Sequence, residues 1–98
     1  MQPITLQDII NKKLNTCAVS PDELITDAYA AEAETEKDLF DTEKLVEAYI
    51  AGKVAIEANK ACGITVPNLE LSILSLKKAL HFDTDQEIAD YYMEHLDK

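Results

Sequence analysis

Apolar residues recur along this chain three or four positions apart, which is the spacing of helical faces. With only two Gly and three Pro, the sequence offers little material for the many turns of an all-β fold. The pattern therefore predicts a single all-α domain, either a compact five-helix bundle or an orthogonal helical array. The expected helices cover about residues 6–15, 21–33, 42–62, 69–81 and 85–96.

Capping signals mark the expected helix starts. Ser20 to Glu23 and Thr84 to Glu87 each place a hydroxyl cap three residues before a glutamate, and the first also has proline at the first helical position. Thr5 to Asp8 and Thr35 to Asp38 are weaker versions with aspartate in place of glutamate. We expect a short acidic turn after the second helix, with Leu39-Phe40 as its apolar anchor.

The first, second and fifth helices should each bury one apolar face. The expected buried residues are Leu6, Ile9, Ile10 and Leu14 in the first helix, Leu24, Ile25, Ala28 and Tyr29 in the second, and Ile88, Tyr92 and Leu96 in the fifth. Tyr91 and Met93 fall on the other side of the fifth helix, where an exposed aromatic and a methionine beside acids would make a contact patch.

The third helix should be central, because its apolar stripe is wide enough to touch two neighbours. Gly52 falls in its interior, where either a close helix crossing or a kink would explain it, and Gly63 suits a left-handed helix end. We expect Asn68 to cap the fourth helix after an extended linker over 64–67. Apolar residues lie on nearly every side of that fourth helix, which indicates a buried helix or one with an additional interface.

Charge is distributed unevenly. The chain has a net charge of −10 and no arginine, and residues 22–47, the acidic segment, carry ten acids against two Lys. Direct binding of DNA or RNA is not expected of such a chain. The candidate partner-binding residues of this segment are Asp22, Glu23, Asp27, Glu32, Glu34, Glu36, Asp38, Glu43 and Glu47.

The acidic segment admits more than one interpretation. It is either a solvated face that keeps the protein in solution or a docking surface for a basic partner, with mimicry of nucleic acid as a special case. Part of the charge is explained by acids such as Asp22, Glu23 and Asp38, which favour helix starts. The other acids of the segment need a functional explanation, and they are Asp27, Glu32, Glu34, Glu43 and Glu47.

Sequence motifs typical of metal-binding, redox or catalytic sites are weak or absent. Cys17 and Cys62 lack the paired spacing of a redox or zinc site and are expected to be buried in a reducing compartment, although a disulfide between helix ends is an alternative. Acids at Asp83, Asp85, Glu87 and Glu94 match part of a calcium loop, but Ile88 replaces the required glycine. No phosphate loop or nucleophile motif is present, so we expect no enzyme activity, no cofactor and no metal.

Two short segments of the chain resemble a known protein family. The segments Leu6-Gln7-Asp8-Ile9-Ile10 and Cys62-Gly63-Ile64-Thr65-Val66-Pro67 faintly resemble an acyl carrier protein. That family needs a serine to hold phosphopantetheine, and the corresponding stretch, Leu39-Phe40-Asp41-Thr42-Glu43, has none. The chain is therefore not assigned to the family.

The sequence thus predicts a small acidic, non-enzymatic interaction module that binds a basic surface of a partner protein, as an inhibitor or antagonist of the immunity, antitoxin-like or phage anti-defence type. The alternative is a structural or adaptor subunit that assembles through apolar helix faces, as a homo-oligomer or within a larger complex. No segment is long and apolar enough for a membrane span, and the N-terminus does not resemble a signal peptide. A cytoplasmic location is expected, in the host cytoplasm if the protein is viral.

Overall fold

The chain folds as an all-α protein, as the sequence predicts. The computed structural model describes residues 4–16, 20–37 and 41–96, with the side chains of 36 and 37 excepted. In these ranges the elements are five α-helices and no strand. They are α1 (Leu6–Thr16), α2 (Pro21–Lys37), α3 (Thr42–Ala61), α4 (Pro67–Leu80) and α5 (Asp85–His95).

Three of the predicted capping sites are confirmed. The Thr5 hydroxyl accepts from the Asp8 N–H at 3.1 Å, and the Asp8 carboxylate accepts from the Thr5 N–H at 3.0 Å, which is a reciprocal capping box. The pKa of Asp8 is lowered first by the hydrogen bond from the Thr5 N–H and then by hydrogen bonding of the Thr5 side chain to the carboxylate. The hydroxyls of Ser20 and Thr84 accept from the N–H groups three residues on, at 3.4 and 3.3 Å. Local sequence therefore sets where α1, α2 and α5 begin.

The fourth predicted start, at Thr35, is wrong. α2 continues through it to Lys37, so the acidic turn expected after residue 33 does not form there. Thr35 is buried, and its hydroxyl donates to the carbonyl of Glu32 at 2.6 Å instead of capping a new helix. The alanine-rich segment 30–33 favours helix, and no Gly or Pro follows to end it. The expected anchor at 39–40 lies outside the described residues.

The end of α3 has the predicted left-handed glycine. Gly63 has a φ of 78°. Its N–H donates to the Lys60 carbonyl and that of Ile64 donates to the Asn59 carbonyl, both at 2.9 Å, which is the Schellman arrangement. Cys62 is the last residue before this turn, and it is exposed with a free thiol. The expectation of a buried cysteine is therefore wrong for Cys62, and Cys17 lies outside the described residues.

α4 begins two residues earlier than predicted. Pro67 is its first residue and Val66 its cap, without a side-chain hydrogen bond, so Asn68 is not the cap. Proline is suited to this position because its φ is already helical and its missing N–H would have no partner there. The helix ends at Leu80, after which His81 adopts a left-handed conformation with φ 60°.

The core is organised around α3, which packs against each of the other four helices. Its position confirms the prediction of a central helix. Ile88 of α5 is fully buried, while Tyr92 and Leu96 are half-buried against the same core. The main core cluster comprises Leu6, Ile9, Ile10, Leu45, Val46, Ala48, Tyr49, Ile50, Val54, Ile73, Leu76, Leu80, Ile88 and Ala89.

α2 is attached to the body through small residues. Ala28 packs with Ala55 and Leu69 in a second, smaller cluster. The side-chain amide of the buried Asn59 donates to the Pro21 carbonyl at 3.1 Å, which joins the start of α2 to the end of α3 and makes the two helices antiparallel. Tyr29, expected in the core, is 42% exposed, because it lies about 100° around the helix from Ala28.

Gly52 lies at a close crossing of α3 and α4. A Cβ placed on it would overlap Cγ2 of Ile73, which is itself buried between the two helices. The crossing, one of the two predicted explanations, accounts for a glycine inside the longest helix. The subunit alternative has two expected contact surfaces, the fourth helix and the face around Gly52. α4 covers this side of α3, so the face around Gly52 is not available as an external contact.

Among the residues that the structure describes, no helix has the length and apolar character of a membrane span.

Candidate functional site

The acids of α2 share one edge of that helix. Because α2 extends to Lys37, Glu23, Asp27 and Glu34 belong to one continuous helix with i, i+4, i+11 spacing, which aligns them. All three are exposed. Asp22 is also exposed, in the first turn, where the positive end of the helix dipole favours it.

The acids of α3 lie near its start. Asp41 caps the helix and accepts from the Lys44 N–H at 3.2 Å. Glu43 and Glu47 follow at i, i+4 spacing and are both exposed. We refer to Glu23, Asp27, Glu34, Glu43 and Glu47 as the acidic face.

The other predicted acids are less informative. Glu32 is half-buried on the opposite edge of α2 from Asp27. The side chains of Glu36 and Asp38 lie outside the described residues. The acidic face is therefore smaller than the predicted set of nine.

Three acids of the acidic face are not neutralised within the described part of the chain. Asp27, Glu43 and Glu47 form no ion pair there, whereas Lys77 pairs with Asp85 at 3.3 Å on the α4–α5 side of the molecule. Their charge is therefore available to an approaching cation.

An apolar cleft lies beside the acidic face. It has a volume of about 590 Å³ and lies between α2 and the pair α1 and α5, with α3 beneath it. Leu24, Ile50, Val54, Tyr92 and Leu96 supply apolar side chains, and we name this space the α2–α5 cleft. Asp27 and Glu47 line it as well, so the structure brings two of the predicted acids to one apolar depression.

Lys13 lies at the α1 end of the α2–α5 cleft. Its ammonium group is 5.3 Å from the centre of the Tyr92 ring, a cation–π distance. Both residues also line a second, adjoining cleft of about 360 Å³ that includes Met93. Lys13 and Tyr92 therefore form the boundary between the two clefts.

The predicted contact residues Tyr91 and Met93 are both only half-exposed. The Tyr91 ring packs against Phe82 and His95, with centroids 5.8 and 4.3 Å away. Its pKa is raised, first by desolvation and then by the negative charge of Glu43 and Asp41. Tyr91 thus lies near the start of α3 and is held by neighbours on its own side of the molecule.

A separate apolar surface lies on α4. Leu71 and Leu74 are 65% and 55% exposed, while Ile73 and Leu76 between and beyond them are buried. The helix is therefore not buried on every side, and an additional interface through its exposed leucines stays a prediction. Leu74 borders an open depression of about 440 Å³ that also includes Lys78 and His81.

A polar contact between α3 and α5 lies at the edge of the core. The hydroxyl of Tyr49 on α3 donates to Oδ1 of Asp85 at 3.2 Å, the same oxygen that Lys77 approaches. Burial raises the pKa of Tyr49, and the charge and hydrogen bond of Asp85 add to the effect. Residues separated by 36 positions make this contact, so no local pattern could reveal it.

In the described part of the chain, no group of three or more His, Cys, Asp or Glu side chains could hold a metal ion. The segment that partly matched a calcium loop is the start of α5, with Thr84 as its cap.

No protein-family model, no curated protein and no solved structure matches this chain.

Proposed function

We propose that this chain is a non-enzymatic interaction module that binds a basic surface of a partner protein through its acidic face, and thereby inhibits or sequesters that partner in the cytoplasm. One observation carries the proposal: five exposed acids lie along neighbouring edges of α2 and α3, and two of them border an apolar cleft. Immunity proteins, antitoxin-like inhibitors and phage anti-defence proteins act in this general way.

Electrostatics supports this function. The chain has a net charge of −10, and ten of its acids lie in residues 22–47 against two Lys. This uneven negative charge attracts a positively charged partner and raises its rate of association, an effect that weakens as salt screens the charges. The i, i+4 pairs Glu23–Asp27 and Glu43–Glu47 cost helix stability by a few tenths of a kcal/mol each. A bound cationic surface would relieve that repulsion. A partner whose basic surface normally holds nucleic acid is included in this proposal.

Charge reversal tests the proposal. The variant Glu23→Lys/Asp27→Lys/Glu34→Lys is compared with the wild type and with the matched control Glu70→Lys/Asp90→Lys/Glu94→Lys, which changes the total charge equally at exposed acids outside the acidic face. Each immobilised protein captures partners from an extract of the cells that produce it, and mass spectrometry identifies them. Surface plasmon resonance then measures association of the purified partner at low and high salt.

We expect the wild type and the control to capture the same basic protein and the acidic-face variant to lose it, mainly through slower association. Circular dichroism should show all three proteins folded. Equal association rates for wild type and acidic-face variant at low salt would refute the proposal.

The exposed leucines of α4 favour a second candidate, a subunit that assembles through an apolar helix face. Leu71 and Leu74 lie i, i+3 on that face. Analytical ultracentrifugation of the wild type and of Leu71→Ser/Leu74→Ser separates the candidates. A stable oligomer that the variant abolishes supports the subunit role, and a wild-type monomer argues against it.

A further inference from the structure

The α2–α5 cleft leaves apolar side chains of the core open to one side. Leu24, Tyr92 and Leu96 are half-buried around buried Ile50 and Val54, and all five line the cleft. We propose that this cleft binds the apolar face of a cationic amphipathic helix from the partner protein. The inference rests on the proposed function and names the element of the partner that the acidic face recognises.

The size of the cleft suits several side chains. About 590 Å³ lies within the roughly 300–1,000 Å³ of sites that bury most of a small ligand. Its walls are helices on both sides, and a groove between helices accepts an amphipathic helix that presents apolar residues at i, i+3, i+4 and i+7. An apolar face seated there would complete the burial of the half-buried leucines, which favours binding.

The positions of the two carboxylates specify the charge of the occupant. Pro21 faces Asn59 across the antiparallel helices, so Asp27, six residues further along α2, lies near the level of residue 53 on α3. Glu47 is about six residues beyond that level, so the carboxylates are roughly 10 Å apart along the helix axes. That separation matches two Lys or Arg residues about seven positions apart on a bound helix.

Lys13 favours one orientation of a helix bound in the cleft. It is a cation at the α1 end of the cleft, while Asp27 lines the wall formed by α2 and Glu47 lies on α3 beneath. A bound helix would meet Lys13 with a neutral or acidic residue and the two carboxylates with cations. A positively charged residue opposite Lys13 would be repelled.

Two other occupants suit the site less well. A second copy of this chain would bring its own net charge of −10 toward the acidic face. An uncharged apolar ligand would fill the floor of the cleft and leave both carboxylates partly desolvated without a cation, which is costly.

Fluorescence anisotropy with synthetic peptides tests the inference. The probe is an amphipathic helix of about 18 residues, or five turns, with leucines on one face and lysines elsewhere, except for neutral glutamines in the turn that would meet Lys13. A scrambled peptide of the same composition and a peptide with Glu in place of Lys serve as comparisons. The proteins are the full-length wild type, Asp27→Lys/Glu47→Lys, and Ala31→Phe, which places a bulky ring in the cleft that Ala31 lines.

Matched controls accompany both changes. Glu70→Lys/Glu94→Lys alters the charge equally at exposed acids elsewhere, and Ala33→Phe adds the same ring at an exposed position of α2 outside the cleft. Ala31→Leu is a smaller filling, used with circular dichroism in case the phenylalanine disturbs the fold.

We expect the amphipathic Lys peptide to bind the wild type about tenfold more tightly than the scrambled peptide, and the Glu peptide not to bind. Charge reversal at Asp27 and Glu47, and filling at Ala31, should each weaken binding by about tenfold, while both controls retain it. If the scrambled peptide binds equally well and only charge reversal matters, the cleft inference is wrong and the proposed function stands. If neither Lys peptide binds at low salt, both are wrong.

Discussion

Replacing Gly52 by alanine should destabilise the protein, although alanine is the better helix former. At an ordinary helical position this change stabilises by about 1 kcal/mol. Here the new Cβ would overlap Cγ2 of Ile73, a methyl group attached directly to a branched Cβ. Isoleucine in a helix has one strongly preferred rotamer, so Ile73 cannot turn the methyl away at low cost.

The magnitude follows from two opposing contributions. Overpacking a core contact costs about 1–3 kcal/mol, and a rigid neighbour places this site toward the upper end of that range. After subtracting the helix-propensity gain, we expect Gly52→Ala to lower the free energy of unfolding by about 1–2 kcal/mol. For a chain of this size, each kcal/mol lowers Tm by roughly 4–8 °C.

Urea denaturation followed by circular dichroism measures the effect, and a second substitution identifies its cause. Ile73→Leu moves the branch from Cβ to Cγ and removes the offending methyl, at a cost of less than about 1.5 kcal/mol alone. The double variant should therefore be less destabilised than the sum of the single variants, with a coupling of about 1 kcal/mol. If Gly52→Ala is as stable as the wild type or more so, α3 and α4 do not approach as closely as described.

Three further predictions concern polar contacts. Tyr49→Phe should lower stability by about 1 kcal/mol through loss of the bond to Asp85. Because the pKa of Tyr49 is raised, its contribution is complete below about pH 10 and is lost at higher pH, so urea titrations above pH 10 should show the variant approaching the wild type. Asn59→Asp should cost about 3 kcal/mol or more at neutral pH, because it buries a carboxylate beside two carbonyl oxygens, and denaturation at acidic pH should show a smaller loss. In Thr5→Val, an NMR titration should show the pKa of Asp8 rising part of the way toward its ordinary value, since the side-chain hydrogen bond of Thr5 is removed while its backbone N–H still donates; an unchanged pKa would contradict the side-chain cause.

Helix starts were predictable because their determinants are local. The hydroxyl of Thr84 and the N–H of Glu87 are three residues apart in any helix, so a capping sequence carries its own geometry. Thr35 shows the limit of this reasoning. The same residue types occur inside α2, where the threonine hydroxyl bonds back to the preceding turn and the helix continues.

Packing between helices was only partly predictable. The sequence identifies Gly52 as unusual, but only the crossing partner, Ile73, decides between a close approach and a kink. The bond from Tyr49 to Asp85 depends on how α3 and α5 are placed, and tyrosine at helical spacing gives no sign of it.

The candidate site also has one part that the sequence predicts and one part that it does not. Helical spacing alone aligned Glu23, Asp27 and Glu34, and the observed length of α2 supplies the continuity that this alignment requires. The α2–α5 cleft could not be predicted, because Leu24 and Leu96 meet across it only after four helices have packed.

The position of the acids bears on the choice between a solvated face and a docking face. Acids that serve only solubility gain nothing from lying beside exposed apolar side chains, because each apolar neighbour reduces the hydration of the carboxylate. Asp27 and Glu47 nevertheless line the apolar α2–α5 cleft, and no described cation neutralises them. A cationic amphipathic helix bound in the cleft would bury its apolar floor and would also pair the two carboxylates with cations. The two interpretations also differ in their dependence on salt. Screening should stabilise the isolated protein by weakening its self-repulsion and should weaken partner binding, whereas a purely solvated face predicts only the first effect.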